Sequence, residues 1–129
     1  MMTGTVTAKL EPMVQCFLQN AEGESVPVNF IIDTGFNGYL ALPLGWIQRL
    51  NLKIDEDDGT VTLADHSTTK VNFYQGQMLW NNLERAVDVI ELEGIPLIGT
   101  ALLYAFRLIV DFENGGNVTL ERIASLMGA

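Results

Sequence analysis

Asp33 is the residue in this sequence whose setting asks for a chemical explanation. It follows the mostly apolar run Val28–Ile32 in "VNFIIDTGFNGYLALP", and Thr34 and Gly35 come directly after it. An ionised carboxylate at the end of a buried strand is costly unless something specific compensates it. Asp33 is therefore either a tied-down turn residue or a working acid. Gly35 lets the backbone fold tightly beside the carboxylate with no side chain in the way. The Thr34 hydroxyl can brace the loop.

Other chemistries find little support. One histidine and one cysteine exclude a His/Cys metal cluster. The acidic run Asp55–Gly59 is no calcium loop. With Gly59 at the sixth position of an EF-hand loop, Ile54 falls at the first, where a carboxylate is required. No glycine-rich phosphate loop with Lys-Ser/Thr is present. A serine or cysteine nucleophile needs a nearby base, and the only histidine, His66, falls in an expected surface turn. Neither a metal nor an organic cofactor is called for.

The elements that must position Asp33 follow a period of two, broken by turn residues. Strands are expected at Thr5–Leu10, Met13–Gln19 and Val26–Ile32, the last buried on both faces, with "NAEGES" as a hairpin turn. Tyr39–Leu42 reads as a short strand, Pro43–Leu50 as a short helix and Asp55–Gly59 as an acidic loop. Thr60–Ala64 and Thr69–Phe73 alternate about a turn at Asp65–Thr68, with Val61, Leu63, Val71 and Phe73 on one face. Met78–Trp80, Arg85–Leu92 and Ile95–Ile98 read as further strands. A brief helix at Thr100–Phe106 precedes a hairpin of Leu108–Phe112 and Asn117–Leu120 around "ENGG". Many short strands with little helix predict an all-β barrel or sandwich.

With 129 residues the chain fits one domain, residues 1–129. A chain of this size buries roughly two thirds of its unfolded surface. The hydrophobic content of 48% marks a globular protein, and the net charge of −9 argues against nucleic acid and anionic membrane as partners. The first residues lack the basic start and apolar run of a secretion signal. "GIPLIGTALLYAF" is too short to span a bilayer. Cys16 has no intrachain partner and shares a face with Val14 and Leu18, so a small buried hydrophobe and a reducing cytoplasm are expected.

"FIIDTG", then an expected hairpin, then "IPLIGTALL" together resemble the retroviral-type aspartic peptidases, or retropepsins. "DTGFNGYLALP" is more similar to the small bacterial and archaeal predicted aspartyl proteases of the same clan. The resemblance runs from about Thr5 to Ile123. It implies a retropepsin-like closed or partly open β-barrel with one or two short helices, active as a two-fold dimer. It implies a catalytic Asp33, with Thr34 and Gly35 completing the motif and Thr34 holding the loop across the dimer interface. The hairpin Thr60–Phe73 would be a flap over substrate, and Leu97-Ile98-Gly99 would pack behind the catalytic loop. Phe36 stands where retroviral members usually carry a small residue and is expected to narrow the pocket. The flap tip "ADHST" is not glycine-rich, and Thr100 replaces a basic residue. Phe36, Asn37, Ala64, Asp65, His66 and Ser67 are expected to line the substrate cleft.

Aspartic peptidase chemistry uses two carboxylates, and this chain has one Asp-Thr-Gly. The second Asp33 must come from a symmetry mate. The terminal strands Thr5–Leu10 and Asn117–Ile123 are the expected interface edges. The leading expectation is a homodimeric aspartic endopeptidase acting on a peptide or protein. The alternatives are a catalytically silent dimeric peptide- or protein-binding module of the same fold, and an unrelated β-domain in which Asp33 caps a turn.

Overall fold

A computed structural model of the chain describes residues 1–62 and 65–124, with residues 56–58 and 61 described by their backbone only. Ten strands and two short helices follow in order: β1 (Met2–Val6), β2 (Pro12–Gln19), β3 (Ser25–Ile32), β4 (Leu40–Leu42), α1 (Leu44–Leu50), β5 (Lys53–Thr62), β6 (Thr68–Trp80), β7 (Leu83–Glu91), β8 (Leu97–Ile98), α2 (Thr100–Leu103), β9 (Phe106–Val110) and β10 (Asn117–Arg122). The strands form one sheet in the order β5-β6-β7-β4-β8-β3-β2-β1-β10-β9. An additional β2–β6 pairing closes a ring of six strands within it. Among the described residues, no helix is long and apolar enough to cross a membrane.

Alternation builds the ring. On β2, Val14, Cys16 and Leu18 are buried while Gln15 and Phe17 face out. Burial pushes the Cys16 thiol up to about 12, because a thiolate there would lose its hydration. β3 alternates at first and then buries Phe30, Ile31 and Ile32 in succession; Phe30 and Ile32 enter the main core, while Ile31 lies outside it. Helix α1 starts after Pro43, buries Ile47 and Leu50, and stops at Asn51, whose φ of 52° is left-handed. The main core gathers Val14, Cys16, Leu18, Phe30, Ile32, Ile47 and Leu50 with Leu40, Leu42, Met78, Trp80, Val89, Ile98, Leu102, Val118 and Leu120.

Four expectations about elements are corrected. Thr7–Leu10 is a turn. Leu10 takes a φ of 62°, its N–H donates to Thr7 O, and the Glu11 N–H donates to Thr7 Oγ1. Apolar alternation runs through this turn without a glycine, so the sequence conceals it. The acidic run Asp55–Gly59 belongs to β5. Two register shifts absorb its extra residues, and its place at the sheet edge leaves one side of the strand unpaired. Thr69–Phe73 and Met78–Trp80 are parts of one strand, β6. The second helix ends at Leu103, and Phe106 already begins β9.

Candidate active site

Asp33 leaves the end of β3 where three strands meet. β8 runs parallel to β3, pairing Ile31 with Leu97 and Ile32 with Ile98, and antiparallel to β4, pairing Leu40 with Ile98. The Asp33 N–H continues this lattice by donating to Ile98 O at 2.9 Å. The Gly35 N–H donates to Asp33 Oδ1 at 2.9 Å, and the Phe36 N–H donates to Asp33 O at 3.1 Å. One carboxylate oxygen is thus held by the turn, and the other has no partner among the described residues. Asp33 is half-buried, while Thr34 and Gly35 are exposed.

The loop is anchored from behind by α2. Thr100 N–H donates to Phe36 O at 2.8 Å, Ala101 N–H to Gly38 O at 3.2 Å, and Gly99 N–H to Tyr39 O at 2.9 Å. The Thr100 hydroxyl also reaches Phe36 O at 3.4 Å. Gly99 is required here by contact and not by φ. A Cβ on it would lie 2.2 Å from Gly38 O and 2.7 Å from Phe36 O, closer than any side chain is tolerated.

Phe36 is placed differently from the expectation. It is 2% exposed and does not line a cleft. Its ring forms a small second core with Ala41, Val71 and Ile90, against which Phe73, Leu92 and Leu97 pack. A large apolar side chain directly after Asp-Thr-Gly finds its room beneath the loop, where Gly38 and Gly99 leave space for the ring. Asn37 is exposed.

Asp33 and Thr34 line an open cavity of about 590 Å³ whose other walls are mostly apolar. The lining comes from the segment before β2 through Leu10, Glu11 and Pro12, from the end of β3 and β8, and from β9 through Leu108 and Val110. Glu11 and the β9 residues Leu108 and Val110 were not singled out from sequence. The strand from Leu108 was expected to pair with Asn117–Leu120, and nothing in its residues marked a place beside Asp33. The expected cleft residues Asp65, His66 and Ser67 sit exposed at the end of the β5–β6 hairpin and are not part of this wall. Ala64 lies outside the described residues. At the hairpin tip the Ser67 N–H and hydroxyl both donate to Asp65 Oδ1, which holds the Asp65 carboxyl below its usual range. His66 there takes a left-handed φ of 68°.

The crystal structure of a retropepsin-like aspartic protease from Rickettsia conorii superposes on this chain with a TM-score of 0.56. The match has 15% sequence identity and covers 92% of this chain and 88% of that one. The chain thus has the retropepsin-like fold. At that identity the likeness speaks for the fold alone. No family model matches the sequence, and no curated protein does either.

Proposed function

We infer that the chain is an aspartic endopeptidase that works as a homodimer, each copy contributing one Asp33. The observation that carries this reading is the placement of Asp33. A half-buried carboxylate, with one oxygen held and the other without a partner among the described residues, lines an open cavity of about 590 Å³, on a loop fixed by β3, β8 and α2. The six-strand ring serves as the barrel of the fold. The chemistry is a water attack. One ionised Asp33 takes a proton from water as the oxygen adds to the peptide carbonyl. The other, protonated, donates to the carbonyl oxygen, and a proton then reaches the leaving nitrogen. Two carboxyls at short range hold one proton between them because both cannot ionise cheaply. Thr34, exposed beside Asp33, braces the paired loops, and Gly35 fixes the Asp33 oxygen. The β5–β6 hairpin closes over an extended substrate held by backbone bonds, as in strand addition. Asn37, Ala64, Asp65, His66 and Ser67 meet the substrate only after that closure. The single unpaired thiol of Cys16 suits a reducing cytoplasm.

The Gly35–Asp33 bond also suits a purely structural turn, so the test separates the two roles. Wild type and Asp33→Asn are assayed on a peptide library from about pH 4 to about pH 7 with and without pepstatin. The variant is expected to lose hydrolysis by at least about a hundredfold and to keep the dimer. At neutral pH it should melt at or above wild type at equal concentration, because asparagine removes the repulsion between paired carboxylates. A structural cap predicts a lower melting temperature instead. A variant that melts well below wild type yet still cleaves would sink the dyad.

A further inference from the structure

Glu11 is a second acid on the wall of the Asp33 cavity, and the water attack gives it no role. The turn before β2 fixes its backbone. Thr7 N–H donates to Glu11 O at 2.9 Å, Leu10 N–H to Thr7 O at 2.9 Å, and Glu11 N–H to Thr7 Oγ1 at 3.2 Å. The Glu11 side chain is half-buried. Its carboxylate has no hydrogen-bond or ion-pair partner among the described residues.

The rest of the lining states what this acid can receive. Lysine, arginine and histidine are absent from it, and Leu97 of β8 with Leu108 and Val110 of β9 supply apolar wall. Strand β9 is where the sheet ends among the described residues. The terminal strands expected at an interface are interior, β1 between β2 and β10, and β10 between β1 and β9. A half-buried carboxylate beside apolar side chains has lost part of its hydration, and no group of the chain makes up that loss. The side chain that suits such a place has an apolar stem and a cationic head. Lysine and arginine have both, since their methylenes lie along apolar surface while the head reaches a polar partner. Arginine fits better, because its planar guanidinium offers a carboxylate two parallel N–H bonds and is more weakly hydrated than an ammonium.

We propose that Glu11 selects the substrate, admitting to the Asp33 cavity a peptide side chain that is basic, arginine before lysine. The stem lies against Leu97, Leu108 and Val110, and the head meets the Glu11 carboxylate. This rests on the peptidase reading above and names the substrate class of that same site. Asp33 must reach the scissile carbonyl and lines the same cavity as Glu11. The basic residue therefore stands beside the scissile bond or one place further along, since an extended chain advances about 3.3 Å per residue. Glu11 is a specificity residue and takes no part in moving protons. Its effect is also distinct from that of the net charge of −9, which draws any cation weakly and from all sides. A contact at Glu11 acts at one substrate position only.

The test reads binding apart from cleavage. Asp33→Asn protein is titrated with fluorescent apolar peptides that carry a single arginine, citrulline, lysine or norleucine at each position in turn. Citrulline keeps the shape of arginine without its charge, and norleucine keeps the stem of lysine. At one position arginine should bind about tenfold or more tighter than citrulline, the worth of a hydrogen bond to a charged group. Adding Glu11→Gln should bring that ratio close to one. Glu11→Arg should turn the preference to a glutamate peptide, a gain that an unfolded variant could not show. Glu22→Gln removes the same charge from the exposed turn between β2 and β3 and should leave the ratio unchanged. A preference for arginine that survives Glu11→Gln, one lost equally in Glu22→Gln, equal binding of arginine and citrulline, or no binding of any peptide would each overturn the proposal. Wild type assayed on the same peptides separates the two readings. Charge-selective binding without hydrolysis counts against the peptidase reading and leaves recognition by Glu11 standing. Hydrolysis with no preference for a basic residue overturns the role of Glu11 and leaves the peptidase reading standing.

Discussion

The Asp33 loop and the β5–β6 hairpin tip are both short polar turns between strands, yet they are held by different means. The Asp33 loop receives backbone bonds from β8 and α2 and rests on the buried ring of Phe36. The tip around Asp65–Ser67 is held by local bonds from Ser67 to one carboxylate and is solvent-exposed. Between them lies the small core of Phe36, Val71 and Ile90, with Phe73 and Leu97 against it. That core joins the base of the hairpin to Leu97, which also lines the Asp33 cavity. The comparison teaches that one turn is fixed by tertiary packing and the other by its own sequence. On the peptidase reading proposed above, the fixed turn would place the reacting carboxylate and the locally held one would meet the substrate.

The strongest way to break this contrast is Gly99→Ala. A methyl group 2.2 Å from Gly38 O meets backbone that cannot swing aside. The loop must shift, at a cost of about 3 kcal/mol or more, and peptide cleavage should fall with it. Thermal melting and cleavage measured together check this, and a variant of unchanged melting temperature would show that the loop yields.

Phe36→Ala comes next. Emptying a site that is 2% exposed should cost about 3 kcal/mol. Because the ring also supports Asp33, turnover should fall further than substrate binding does. Phe36→Leu should restore most of both. A loss of stability with kinetics unaltered would reduce Phe36 to simple filling.

The smallest effect sharpens the other side of the comparison. The Ser67 bonds hold Asp65 below its usual range, so its folded value is depressed relative to the unfolded chain. The stabilisation of the tip is therefore present above the unfolded value and is lost as pH falls through the folded one. Ser67→Ala should move the Asp65 titration, followed by NMR, up towards its usual range. The global melting temperature at neutral pH should barely change. A large melting shift would mean that the tip is packed against the body of the protein.

Much of this was legible in the residues. Val14, Cys16 and Leu18 announced a half-buried strand, and Ile47 and Leu50 the inner face of a helix, because burial at period two or at helical spacing is written locally. Asp33 stood out because a charge at the end of an apolar run is costly without a reason. The turn at Thr7–Leu10 escaped because Leu10 takes a left-handed φ that its residue type disfavours. Long-range contacts also drew the acidic run into β5 as a bulged edge strand.

The sequence by itself determined the strand-rich organisation and the candidate acid. Those depend on residue type, spacing and number. The tertiary structure alone decided that Phe36 turns inward, that β8 runs parallel to β3, and that, among the described residues, β9 and not β1 or β10 is left open. A strand's alternation states which side is buried but not which strand will lie beside it. That choice is made by contacts between residues far apart in the chain.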